Sequence, residues 1–140
     1  MEHCVFCKIV NGQIDSAKVY EDEDTLAFLD INPFTKGHCL VIPKQHSENI
    51  FDIDEETLKK VTVVTKHISK KIKNVLRADG IRISQSNGRE AGQAIFHFHL
   101  HIIPRYKNDG VSMSETITTH PPKADSEELK KLAETIKGKT

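Results

Sequence analysis

Three histidines alternate with apolar residues in His97-Phe98-His99-Leu100-His101. In extended backbone, residues i, i+2 and i+4 share a face. The three imidazoles therefore point one way, while Phe96, Phe98, Leu100 and Ile102 point the other way, toward a core. The β-rich run continues through Ile103, and the spacing predicts a strand ending at Pro104, which supplies no ladder donor. Such a face suits either of two chemistries: ligating a metal, or presenting a nucleophile with its attendants. An imidazole attacks phosphorus when one ring nitrogen is unprotonated and the other donates a hydrogen bond that fixes the tautomer. With an unperturbed pKa of ~6.5, a large fraction is neutral at pH 7. Cys4 and Cys7, three residues apart, make a second constellation. They read as a metal-binding pair or as two free thiols, not as a disulfide framework. In a third stretch, Asn87-Gly88-Arg89-Glu90-Ala91-Gly92-Gln93-Ala94, glycine lets backbone N–H groups approach phosphate oxygens closely.

These residues need elements to hold them. Val5 to Val10 reads as a short helical turn stopped by Asn11-Gly12. Ala17 to Tyr20 and Thr25 to Leu29 read as strands around the polar turn Glu21-Asp22-Glu23-Asp24. His38 to Ile42 is a largely apolar strand closed by Pro43, after the loop Asn32-Pro33-Phe34-Thr35-Lys36-Gly37. Glu55 to Ala78 is the clearest helix: Leu58, Val61, Thr65, Ile68, Ile72 and Val75 form one stripe. Asp54 caps it, Ile53 and Leu58 flank the cap as a hydrophobic staple, and Asp79-Gly80 ends it. Ile81 to Gln85 alternates as a strand. Gly110 to Lys123 is irregular, and Asp125 to Ile136 reads as a final helix with Leu129, Leu132, Ala133 and Ile136 on one side. Five short strands and two substantial helices predict an α+β fold with an antiparallel sheet. A single domain is expected over 1–140, with its core about 4–105 and a C-terminal extension 106–140.

Composition narrows the function classes. The 20 basic and 20 acidic residues balance, so no basic footprint for nucleic acid is present. The lysines of the long helix form a solvated face. No run approaches the ~20 apolar residues that cross a bilayer, so no membrane partner is expected. Met1-Glu2-His3-Cys4 has no basic region followed by an apolar one, and the expected compartment is the cytoplasm. Cys39 reads as a buried thiol. His67 belongs on the long helix near its surface, His120 in a loop, and His38 receives no role.

The segment Gly92-Gln93-Ala94-Ile95-Phe96-His97-Phe98-His99-Leu100-His101-Ile102-Ile103-Pro104-Arg105 closely resembles the signature of the histidine triad (HIT) nucleotide-binding and hydrolysing proteins. Gly37-His38-Cys39-Leu40-Val41-Ile42-Pro43-Lys44-Gln45-His46 and Ala27-Phe28-Leu29-Asp30-Ile31 resemble the other two family blocks. Cys4-Val5-Phe6-Cys7-Lys8-Ile9 resembles the N-terminal pair of the zinc-containing bacterial branch. The resemblance runs in order from Cys4 to Arg105.

The resemblance implies a HIT-like fold whose sheet extends across a homodimer. It implies that His99 is the nucleophile carrying a nucleotidyl intermediate, and that His101 lies beside the reacting phosphate. Asp30 would accept the ribose hydroxyls, with Phe28 and Ile31 flanking the base and Ile9 as a further neighbour. Asn87, Gly92, Gln93 and Ala94 would surround the phosphate. In part of the family the positions of His46 and His97 line the phosphate site; in the zinc-containing branch Cys4, Cys7, His46 and His97 would hold a structural Zn2+, a closed set of two thiolates and two imidazoles. The expected activity is cleavage of a substituent from the α-phosphate of a purine nucleoside 5′-monophosphate. Phosphoramidates and dinucleoside polyphosphates belong to that substrate class. The alternatives are a nucleotide-binding sensor or regulatory module with negligible turnover, and a metal-dependent hydrolase. Ala94 stands where several relatives carry Ser or Thr, and the chain has no Trp to supply one branch's C-terminal contact. The helix stripe, long for this domain, is an additional reason to expect a homodimer.

Overall fold

The computed structural model describes residues 3–111 and 121–138. The strands β1 (Lys18–Glu21), β2 (Thr25–Leu29), β3 (Cys39–Pro43), β4 (Gly80–Ser84) and β5 (Leu100–Arg105) form one sheet. Its order is β1-β2-β3-β5-β4, and every neighbouring pair is antiparallel. The helices are α1 (Val5–Val10), α2 (Glu55–Leu76) and α3 (Ser126–Gly138).

β2 and β3 are buried along their whole length because both sheet faces are covered. Their alternate residues divide as the pleat requires. Ala27, Leu29, Cys39 and Val41 pack with Val61, Val64, Ile68 and Ile72 of α2 and with Leu129, Ala133 and Ile136 of α3. Leu26, Phe28, Leu40 and Ile42 pack on the opposite face against Phe6 and Ile9 of α1. The site described below occupies this second face.

The expected caps form at the start of α2. Asp54 accepts from the Thr57 N–H at 2.8 Å, and Ile53 and Leu58 both pack against the core. Its end differs from expectation. The helix stops at Leu76, with Arg77 in the left-handed region (φ 55°, ψ 43°), and Gly80 already belongs to β4. The Ala78 N–H returns to the Lys73 carbonyl and satisfies the last turn without glycine.

Two further expectations are corrected. The triad strand was expected from Phe96 to Ile103, yet β5 begins at Leu100 and runs through Pro104 to Arg105. β3 pairs with β5 only from Leu100 to Ile102, so the proline lies past the end of that ladder. On the β4 side it sits opposite Ile81. The α2 stripe was expected to need a second chain to cover it, but Val61, Thr65, Ile68 and Ile72 are all buried within this one. Exposed apolar side chains lie elsewhere, among them Phe51, Ile31, Val63 on the outer side of α2, Ile83 on the edge strand β4, and Phe96, which was expected in the core. No described helix is long and apolar enough to cross a membrane.

Candidate functional site

The segment leading into β5 carries the triad across the α1 face. The Phe98 N–H donates to the Ser47 carbonyl at 2.7 Å and pins this segment beside the chain that leaves β3. Phe98 is buried in the helix-side core, while His97 and His99 both meet the Phe6 ring edge-on at 5.8 and 5.2 Å. The His99 and His101 rings lie 4.9 Å apart. The three imidazoles thus face one side as expected, but their nitrogens serve different partners.

His99 Nδ1 lies 2.7 Å from the carbonyl of His97. A carbonyl only accepts, so Nδ1 carries the proton and Nε2 keeps its lone pair. Burial holds the His99 pKa below its ordinary value and favours the neutral ring.

Around His101 the tautomers are fixed in sequence. The Phe34 N–H donates to His38 Nδ1 at 3.1 Å, which places the His38 proton on Nε2. That nitrogen is 3.0 Å from His101 Nδ1 and 3.6 Å from an Asp30 carboxylate oxygen. His38 therefore donates to His101, whose own proton is left on Nε2. Burial lowers the His38 pKa and brings that of His101 down to about 3, so both rings are neutral near pH 7. His38 received no role from its position in the sequence. Its backbone partner four residues earlier, across a turn, is visible only in three dimensions.

Two groups of potential metal ligands occur among the described residues: Cys4, Cys7, His46 and His97, and Asp30, His38 and His101. In the first, His97 Nδ1 lies 3.3 Å from Cys4 Sγ, 3.6 Å from Cys7 Sγ and 3.2 Å from His46 Nδ1, and Cys7 Sγ lies 3.3 Å from His46 Nδ1. Tetrahedral zinc bonds of ~2.3 Å to sulfur and ~2.0–2.1 Å to nitrogen put S···N edges near ~3.6 Å and N···N edges near ~3.3 Å. The cluster has these dimensions. His97 Nε2 donates to the Pro43 carbonyl at 2.8 Å, leaving Nδ1 as a lone pair aimed at the cluster. The Cys7 N–H donates to Cys4 Sγ at 3.3 Å, an outer hydrogen bond of the kind that supports a thiolate ligand. These residues fit a tetrahedral ion. The second group does not: with Nδ1 accepting from Phe34, His38 would have to become an imidazolate to ligate through Nε2. The triad imidazoles also do not converge on one point, because His97 turns its free nitrogen to the thiols.

A cavity of about 500 Å³ opens on this face. Its polar lining includes His99, His101 and Asp30, with Gly92 and Ala94, and its apolar lining includes Val5, Phe6, Ile9, Phe28, Ile31 and Ile95. Gly92 adopts φ 94°, a conformation glycine takes without strain. Asn87 and Gln93, expected beside the phosphate, do not line this cavity. The buried Gln93 amide accepts from the Gly88 N–H at 2.8 Å and donates to the Glu48 and Ile95 carbonyls at 2.6 and 3.0 Å. Asn87 accepts from the Ile50 N–H at 2.7 Å and donates to Gln85 at 2.8 Å. In this structure both side chains hold the loop, whose Gly92 and Ala94 reach the cavity. Cys39 is buried away from it, its thiol pKa pushed up by burial. His120 falls outside the described residues.

Fold and sequence together place the protein in a class. The HIT domain family matches residues 11–108, and the chain belongs to that family. It is 45% identical over 136 residues to "Protein hit" of Bacillus subtilis, covering 96% of this chain and 92% of that protein. It superposes with a TM-score of 0.85 on a hypothetical histidine triad nucleotide-binding protein from Sulfolobus tokodaii, at 39% identity over 96% of this chain and 90% of the other. A Zn-bound histidine triad family protein from Mycobacterium smegmatis gives a TM-score of 0.83 at 38% identity, covering 98% and 94%.

Proposed function

We propose that this protein binds a purine nucleotide in the 500 Å³ cavity and hydrolyses a substituted α-phosphate through His99. The observation that carries this reading is the tautomer of His99: its Nδ1 is committed to the His97 carbonyl, and the ring lines the cavity with Nε2 unprotonated. The apolar portion, with Phe6 and Phe28, takes the base. Asp30 accepts the ribose hydroxyls, and the backbone around Gly92 and Ala94 receives phosphate oxygens. His99 Nε2 attacks the α-phosphorus, forming a P–N bond as the leaving group departs with its electron pair. His101, with its proton on Nε2, donates to a phosphate oxygen or to the departing atom and stabilises the charge that develops there. Water then attacks phosphorus and gives up one proton to the departed leaving group or to solvent; the P–N electron pair returns to Nε2, which releases the mononucleotide and restores the neutral ring.

Cys4, Cys7, His46 and His97 would hold one structural Zn2+, which supplies rigidity and no step of the reaction. We also propose a homodimer. The β4 edge, with exposed Ile83, is the site for pairing of two sheets. The β1 edge is short, bulged and charged, with Lys18, Glu21 and Lys44 ion-paired, features that discourage such pairing.

Intact-mass measurement during turnover of adenosine 5′-phosphoramidate tests the central claim. A nucleotidyl adduct is expected on His99 and absent from His99→Asn. Turnover without an adduct and unaffected by this substitution would remove the mechanism. The Ala94 methyl, which offers no hydroxyl to a leaving group, favours a second reading as a binding module. Tight AMP binding with no turnover of any α-substituted nucleotide would select it.

A further inference from the structure

One margin of the cavity is not used by this mechanism. It is formed by Ile14, Asp15 and Ser16 together with Pro121, Lys123 and Ser126. Both pieces adjoin the apolar portion. The Gln13 and Ile14 N–H groups return to the Lys8 carbonyl at the end of α1, the helix that contributes Phe6 and Ile9. The Ala124 N–H donates to the Ile31 carbonyl at 2.8 Å, and the Asn32 side chain donates to the Pro121 carbonyl at 2.9 Å. Asp15 ion-pairs with Lys130 of α3 at 2.8 Å, which ties the two pieces to each other. Resting on the nucleotide reading, this margin adjoins α1 and Ile31, which flank the base.

Its charged groups are of two opposite kinds. The Asp15 carboxylate only accepts hydrogen bonds, and Lys130 beside it holds its pKa below the usual value. The Lys123 ammonium only donates, and it has no ion-pair partner among the described residues. Guanine presents N1–H and the N2 amine side by side, two donors that one carboxylate accepts together. It also presents O6 and N7 side by side, two acceptors for one ammonium. Adenine breaks up both pairs, because its N6 amine lies between the acceptors N1 and N7.

We propose that Asp15 and Lys123 read the base edge and make the cavity selective for guanine over adenine. Lys123 lies beyond the residues 11–108 matched by the family, so this selectivity depends in part on the C-terminal segment. The margin is open to solvent, and an effect of about tenfold is expected, far below that of a fully buried polar pocket.

The experiment is calorimetric titration of the full-length protein with GMP, IMP and AMP. GMP is expected to bind about tenfold more tightly than AMP, with IMP, which lacks the N2 amine, in between. Asp15→Asn should bring GMP down toward IMP, and Lys123→Met should weaken GMP and IMP while sparing AMP. Lys130→Met, which breaks the ion pair but keeps the carboxylate, should preserve the order. Equal affinities for GMP and AMP, or an order unchanged in both Asp15→Asn and Lys123→Met, would overturn the base assignment and leave the nucleotide reading standing. Failure of all three nucleotides to bind would overturn both.

Discussion

The two clusters beside His99 are built from similar parts and do opposite things. In each, a deeply buried histidine has one ring nitrogen committed to the backbone. His97 donates to a carbonyl, so its other nitrogen is a bare lone pair among two thiols and a second imidazole. His38 accepts from an N–H, so its other nitrogen holds a proton, which it offers to His101. The polarity of one backbone group thus decides whether an imidazole suits a metal or a proton. Side-chain composition alone would have offered both clusters as metal sites.

The sharpest break between the clusters comes at His99, which adjoins both. His99→Asn should lower turnover at least a thousandfold while keeping nucleotide affinity within several-fold and leaving zinc content unchanged. Residual activity above a tenth of wild type would dissolve the distinction between nucleophile and support.

Next in size is removal of a thiol. Cys7→Ser should strip the metal and lower stability by roughly 2–5 kcal/mol, because metal binding couples to folding. Elemental analysis with thermal unfolding measures both, and untagged wild type that carries no zinc would end the metal assignment.

His38→Phe keeps a ring of similar size and removes the donor to His101. We expect kcat to fall by about a hundredfold, the lower end of a general acid–base contribution. KM and zinc content should barely change. Loss of zinc in this variant would show that the clusters are one unit.

The smallest effect concerns acidity. The folded pKa values of His38 and His101 lie below the unfolded ~6.5, so the unfolded chain binds more protons as pH falls under that value. Their contribution is neutral above pH 7 and becomes destabilising as pH drops toward about 3, the folded value for His101. Denaturant titrations at pH 7 and 5 should show lower stability at pH 5, and a smaller drop in His38→Phe. An equal drop in both proteins would dismiss His38 as a contributor.

Much of this arrangement was legible in the chain. Apolar runs, alternation and the α2 stripe located the strands and the long helix to within a few residues, because side chains that face a core must be apolar at the spacing of their element. Val5–Val10 and Thr25–Leu29 came out with the expected limits. The triad strand did not. Its apolar alternation continues through Phe96 to Phe98, but pairing with β3 begins only at Leu100, and pattern records burial without recording a partner. Spacing brought forward His97, His99, His101 and the two thiols, and resemblance added His46, yet His38 was left without a role. The commitments of Asn87 and Gln93 were equally hidden: an amide that holds a loop and an amide that touches a ligand look the same in one dimension. The margin of Asp15 and Lys123 joins residues more than a hundred positions apart, and no local pattern links them.

The acceptor for His99 is a main-chain oxygen, which every amino acid supplies. Genetic variation at position 97 can delete the imidazole ligand, yet it cannot delete the carbonyl. The nucleophile's tautomer is therefore insulated from point mutation at its own supporting residue and is exposed only to shifts of the backbone. A His97→Ala protein refolded around an intact chain path would keep a correctly protonated His99 beside a crippled metal cluster. In evolutionary terms, a lineage of this fold could lose its metal first and its chemistry later, in two separate steps.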